Sequence, residues 1–151
     1  MKHLLYILIF LPFSAQSQIN IYSGYGQLKG LTGIEAQYKD VSLSLGYIPA
    51  QWYFKSANQS FSGAVTFYQD IEKETYYLSM GVTSSGISHY ENGCLNSEPS
   101  VMAMVGTRFY LKDIDFAISR RWKIDCGIGV NHIQGCTLLT WELLINFTLI
   151  K

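Results

Sequence analysis

Residues 122–132 alternate so regularly between large apolar and small or charged side chains that they predict a β-strand with two unlike faces. The apolar face consists of Trp122, Ile124, Cys126, Ile128 and Val130. The opposite face consists of Lys123, Asp125, Gly127, Gly129 and Asn131. A strand of this kind is stable only where its apolar face contacts an apolar medium, which is either a protein core or the hydrocarbon of a membrane.

Seven other segments alternate in the same way, which gives eight candidate strands in all. They cover residues 19–24, 33–38, 41–47, 61–67, 74–83, 101–111 and 139–149. Short connections at residues 39–40, 70–73 and 119–121 separate longer or more polar ones at residues 27–30, 48–59, 84–100 and 133–135. Such regular exchange of short and long connections is typical of outer-membrane barrels. The alternation changes phase near Lys112 and Asp113, which indicates a bulge or a short turn there.

The polar faces distinguish a membrane barrel from a soluble one. They are rich in Gly, Ser, Thr, Asn and Tyr, and the whole chain of 151 residues has only 11 Lys plus Arg and 11 Asp plus Glu. Faces this small and weakly charged suit a narrow interior better than bulk water. We therefore predict an all-β fold, an eight-stranded antiparallel up-and-down transmembrane β-barrel. The alternative is a soluble secreted β-barrel that binds a small ligand in an apolar interior, with its faces reversed.

The N-terminus has the features of an export signal. Lys2 precedes an apolar run from Leu4 to Phe13, and a small, polar stretch follows up to Ser17. The run is shorter than the ~20 residues that a transmembrane helix needs. We predict a signal peptide over residues 1–17 and one barrel domain over residues 18–151, exported to the bacterial outer membrane. The balanced charge gives no indication of a nucleic-acid partner. The predicted partner is membrane lipid, which follows from the apolar outward face of the barrel.

Five charged side chains fall on the polar faces of the predicted strands. They are Glu35, Arg108, Lys123, Asp125 and Glu142. In a narrow interior, cations and anions are expected to pair, because an isolated buried charge is costly. The prediction is an ion-pair network that closes the interior, in preference to a path for ions or protons.

The longer connections and the cysteines are the remaining candidates for function. Binding of an extracellular or envelope protein is predicted for loop residues Trp52, Tyr53, Phe54, His89 and Tyr90. Cys94 and Cys136 both reach the outer side of the predicted topology, which leaves a disulfide between them open, whereas Cys126 is expected to face lipid unpaired. Because the chain has no Cys-x-x-Cys and its histidines are scattered, we predict no metal site and no cofactor.

The segment Phe116-Ala117-Ile118-Ser119-Arg120-Arg121-Trp122-Lys123-Ile124, followed by Gly127-Ile128-Gly129, resembles the strand, tight turn and strand of small eight-stranded outer-membrane barrels. That group includes the membrane domain of outer membrane protein A and outer membrane protein X. The resemblance implies a structural, adhesive or loop-binding protein. The C-terminus departs from the group, since it ends Phe147-Thr148-Leu149-Ile150-Lys151 instead of on an aromatic residue. Leu78-Ser79-Met80-Gly81-Val82-Thr83 is also similar to TraO-type exported proteins of Bacteroidetes conjugative elements.

Some barrels of this size modify membrane lipids, so a lipid-modifying enzyme is a third hypothesis. A deacylase resembling them would need a serine two residues from a histidine, with an acid nearby to orient that base. His89 is followed by Tyr90 and Glu91, and His132 by Ile133 and Gln134. The sequence therefore predicts a protein without catalytic activity, with a structural or interaction role.

Overall fold

The computed structural model describes residues 17–26, 28–49, 59–72, 74–84, 99–111, 121–133 and 136–150. Eight strands lie in these ranges, in agreement with the eight predicted from alternation. Their bounds are β1 Gln18–Gly26, β2 Thr32–Tyr38, β3 Val41–Ile48, β4 Ser60–Ile71, β5 Glu74–Thr83, β6 Ser100–Tyr110, β7 Trp122–Ile133 and β8 Cys136–Ile150.

The strands form one closed antiparallel barrel in simple chain order. Each strand pairs with the next one, and β8 returns to pair with β1, where Tyr22 lies opposite Asn146. This closing pair has a register shift between Ile19 and Asn20. Closure leaves no strand edge with unpaired N–H and C=O groups, which is a condition for a sheet that lies in hydrocarbon. The predicted fold class, an eight-stranded antiparallel up-and-down barrel, is confirmed.

Two of the short connections are tight turns at the end of the barrel where β1 begins. Lys39 has φ 50° and Glu72 has φ 57°, left-handed conformations that allow β2 to reverse into β3 and β4 into β5 within a few residues. The first turn is also tied to the neighbouring hairpin, because the backbone N–H of Tyr68 donates to the Asp40 carbonyl at 2.7 Å. The third predicted tight turn, residues 119–121, falls largely outside the described residues.

The outer surface of the barrel is apolar. The most exposed large side chains point outward from every part of the wall, for example Leu45, Ile128 and Leu139, which are 65%, 68% and 89% exposed. Contact of such a surface with water costs about 25 cal/mol per Å², and soluble monomers rarely have apolar patches above roughly 600 Å². The exterior is therefore suited to lipid.

The inward faces of the strands are polar, as predicted. The fully buried polar residues include Asn20, Glu35, Thr66, Ser79 and Asp125. A soluble ligand-binding barrel would have the opposite arrangement, so that alternative is wrong for this chain. The described residues contain no helix that is both long enough and apolar enough to cross a membrane.

Candidate functional site

A compact group of charged side chains lies at the centre of the barrel. Arg108 on β6 binds Asp125, the residue directly opposite on β7, through Nε to Oδ1 at 2.6 Å and through Nη2 to Oδ2 at 2.7 Å. The same Nη2 reaches across the lumen to Glu35 on β2, 3.1 Å from Oε1 and 3.3 Å from Oε2. Two parallel N–H···O bonds to one carboxylate form the strong, planar arrangement that a guanidinium favours.

The second cation of this group is Lys29, which does not belong to a strand. Its Nζ lies 3.3 Å from Asp125 Oδ2 and 3.5 Å from Glu35 Oε2. The side chains of Lys29, Glu35, Arg108 and Asp125 are all fully buried. We call these four residues the interior cluster. Its two cations and two anions balance, which is the condition under which buried charges are tolerated.

Lys29 reaches the interior because residues 28–31, here called the inward segment, fold into the barrel between β1 and β2. Leu28, Lys29 and Leu31 are buried, at 0%, 0% and 6% exposure. The hydroxyl of Tyr22 donates to the Lys29 carbonyl at 2.5 Å.

Two glycines accommodate the inward segment. Gly30 has φ 86°, a left-handed conformation that glycine adopts readily. A Cβ added at Gly46 of β3 would lie 1.6 Å from the Lys29 carbonyl oxygen, so only a residue without a side chain fits at that position. Residues 27–30 are predicted from the sequence as a connection between strands, and the structure places Leu28 and Lys29 of this connection inside the barrel.

Tyrosines complete the surroundings of the interior cluster. Tyr68 donates its hydroxyl to Glu35 Oε2 at 2.9 Å, and its ring centroid lies 4.3 Å from the guanidinium carbon of Arg108. The ring centroid of Tyr77 lies 5.1 Å from Lys29 Nζ. Cation–π contacts of this kind are worth up to about 2 kcal/mol when they are desolvated. The aromatic rings therefore solvate both cations where water is displaced.

The two other charged residues predicted for the network lie apart from the interior cluster. Lys123 donates through Nζ to Gln18 Oε1 at 3.1 Å and to Asn20 Oδ1 at 3.4 Å. Glu142 accepts a hydrogen bond on Oε1 from the Tyr77 hydroxyl at 2.8 Å, while its Oε2 has no hydrogen-bond partner among the described residues. The structure thus brings together three of the five predicted residues and adds Lys29.

The sequence held a signal for Lys29 that the alternation argument did not use. Lys29 stands between two leucines one and two positions away, in the short stretch Leu28-Lys29-Gly30-Leu31. Leucines in a connection this short indicate burial, and a lysine among them then needs a buried carboxylate.

The predicted loop sites are outside the part of the chain that the structure describes. This applies to Trp52, Tyr53, Phe54, His89 and Tyr90, and to Cys94. The loop contact and the Cys94–Cys136 disulfide therefore stay predictions. Cys126 on β7 is a free thiol, half-buried in the outward face of the wall.

The closed sheet, the apolar exterior and the polar interior together decide the class of protein. The fold is that of a small eight-stranded outer-membrane barrel. These three features meet the requirements for strands that cross a bilayer, so the predicted location in the bacterial outer membrane is confirmed along with the fold-level resemblance.

Comparisons with known proteins assign no family to the chain. No family model matches the sequence, and no curated protein sequence matches it. Among solved structures, the chain is similar to the Yersinia pestis outer membrane protein Ail in a phospholipid bilayer nanodisc, with 13% sequence identity and a TM-score of 0.46. The match covers 87% of this chain and 97% of that one.

Proposed function

We propose that this chain is a structural or interaction protein of the outer membrane, with a closed interior and with its binding surface in the outer loops. The observation that supports this most directly is the interior cluster. Four buried charges and the inward segment occupy the lumen that a conducting barrel would keep open. Eight strands enclose an interior just wide enough to be filled by side chains.

Passage of an ion through this interior would require the interior cluster to separate. Arg108 binds two carboxylates at once, and Lys29 bridges the same two. Breaking one partner out of a buried pair costs about 3–5 kcal/mol. A barrel built in this way serves as a rigid frame and not as a pore.

The loops at the end opposite the tight turns are the proposed interaction surface. The connections between β3 and β4 (residues 49–59) and between β5 and β6 (residues 84–99) both leave the barrel at that end. They contain the aromatic residues Trp52, Tyr53, Phe54 and Tyr90, and His89. Loops carried by a rigid scaffold are frequent binding sites, and an exposed aromatic is a frequent anchor for a protein partner. The proposed partner is an extracellular or envelope protein.

The proposal assigns no catalysis to the chain. His132 is exposed at the outer rim, where its Nδ1 lies 3.1 Å from the Thr137 hydroxyl. Among the described residues no acid is hydrogen-bonded to this histidine, so His132 and Thr137 do not form the set that lipid hydrolysis needs. The third hypothesis, a lipid-modifying enzyme, would need a catalytic group from the loops outside the described residues.

Three measurements test the proposed function. Outer-membrane fractions of the native host are compared on boiled and unboiled gels, and a folded closed barrel should shift on boiling. The purified barrel is then added to planar bilayers, where steady conductance above the lipid background would contradict a closed interior. Finally, a variant in which Trp52, Tyr53 and Phe54 become serine should keep the gel shift and lose cell or protein binding. Unchanged binding would exclude that loop as the contact.

A further inference from the structure

Two hollows lie on the outward wall formed by the described strands. One, of about 1060 Å³, crosses the outside of β4 to β8. The other, of about 650 Å³, crosses the outside of β8, β1, β2 and β3. Pockets that hold small-molecule ligands measure about 300–1000 Å³. The larger hollow is therefore big enough for a ligand with many carbon atoms.

Each hollow lies outside a contact between a tyrosine and glycine in the interior. A Cβ added at Gly106 would lie 2.4 Å from the Tyr77 ring, and one at Gly127 would lie 2.4 Å from its hydroxyl. Likewise, a Cβ at Gly33 would lie 2.3 Å from the Tyr22 hydroxyl. Since the glycines have no side chain on the inner face, the wall comes close to each tyrosine ring.

The floor and sides of the larger hollow differ in side-chain length. Thr107 on β6 and Cys126 on β7 pair directly and are both short and half-buried. Larger side chains flank them on either side, with Leu78 43% exposed, Trp141 52% and Leu143 46%. The result is a trough along β6 and β7 with apolar sides.

We propose that this trough binds one acyl chain of a phospholipid in the periplasmic leaflet. The inference rests on the proposed membrane function, because the trough is part of the lipid-facing surface and is filled from the bilayer. Tyr76 fixes its depth, since this residue follows the tight turn before β5 by two positions and donates its hydroxyl to Glu74. An aromatic ring with a polar tip marks the headgroup level. A chain entering there meets the short side chains of the floor first.

Native mass spectrometry tests this site on the full-length mature barrel in detergent, titrated with 1-palmitoyl-2-oleoyl-phosphatidylethanolamine. The wild-type barrel should retain one phospholipid after the detergent is removed. Cys126→Phe fills the floor of the trough and should weaken retention about tenfold, the change that corresponds to about 1.4 kcal/mol. The matched control is Val101→Phe, which adds an aromatic ring at an outward position outside both hollows, 61% exposed. Its retention should equal that of the wild type.

Several outcomes would overturn the site. Retention that is absent in the wild type, or equally weak in both phenylalanine variants, excludes a specific chain in the trough. Dimers that carry no phospholipid and disappear with Cys126→Phe would mean that a second copy covers the hollow. If Cys126→Phe lacks the gel shift of a folded barrel, Thr107→Leu replaces it with the same expectation. A wild-type chain without any gel shift would instead refute the proposed membrane function.

Discussion

Replacing Lys29 with methionine tests whether the inward segment closes the barrel. The substitution keeps most of the side-chain length and removes the charge that faces Glu35 and Asp125 at 3.5 and 3.3 Å. Removing one partner from a buried ion pair costs about 3–5 kcal/mol. Arg108 still binds both carboxylates at shorter distances, of which the shortest is 2.6 Å. We therefore expect Lys29→Met to lower the free energy of unfolding by about 3 kcal/mol, the lower limit of that range.

Urea titration of the barrel folded in lipid vesicles measures this loss, with tryptophan fluorescence and the unboiled gel as two readouts. Lys39→Met is the matched control, because Lys39 is exposed in the turn between β2 and β3, and it should change stability by less than about 0.5 kcal/mol. In the double variant Lys29→Met with Glu35→Gln, the interior cluster keeps one cation, Arg108, and one anion, Asp125, so its charges balance again. The double variant should be more stable than Lys29→Met alone by about 1 kcal/mol or more. A Lys29→Met barrel as stable as the control would refute the buried position of this lysine.

Three further substitutions test other contacts by the same urea titration. Arg108→Lys keeps the charge and loses the bidentate geometry, so the free energy of unfolding should fall by about 2 kcal/mol, and no change would contradict a planar pair. Gly46→Ala should lower the free energy of unfolding by more than about 2 kcal/mol, because the added Cβ would overlap the inward segment. The control is Gly63→Ala on the next strand, which should leave stability unchanged because the nearest atom to its Cβ is 3.8 Å away. Equal effects of the two would exclude the close approach. Tyr77→Phe removes the hydrogen bond to a buried carboxylate, Glu142, and should cost about 1–3 kcal/mol.

The strands and their faces were predictable because a closed barrel repeats one rule along its whole length. Period-2 alternation assigns each side chain to lipid or lumen without knowledge of the partner strand. Arg108 and Asp125 could be placed on the same face in this way, and the structure makes them direct cross-strand neighbours. Alternation also predicted a strand over residues 139–149. In the structure this strand, β8, begins earlier, at Cys136, before its apolar side chains alternate regularly.

The partners inside the lumen were not predictable from alternation, for two physical reasons. Contacts across a barrel depend on how each strand is shifted along its neighbours, so that Glu35 on β2 meets Arg108 on β6 while Glu142 meets Tyr77 on β5. The inward position of Lys29 was not predicted, because side chains in a connection do not alternate between two faces as they do in a strand. The direction of its side chain follows from a glycine conformation and from the space beside Gly46, and alternation describes neither.

The closing pair between β1 and β8 has a consequence for biogenesis. Asn20, near the start of the described chain, accepts a hydrogen bond at 2.7 Å from Thr148, near its end, a separation of 128 residues. Until that last strand is in place, β1 and β7 both offer open edges, on which other strands can add. A chain in which β8 is not paired with β1 therefore keeps two strand edges on which aggregation can begin. The cell must accordingly shield this protein until β8 closes the sheet in the membrane, and removal of that strand should turn a stable barrel into an aggregating chain.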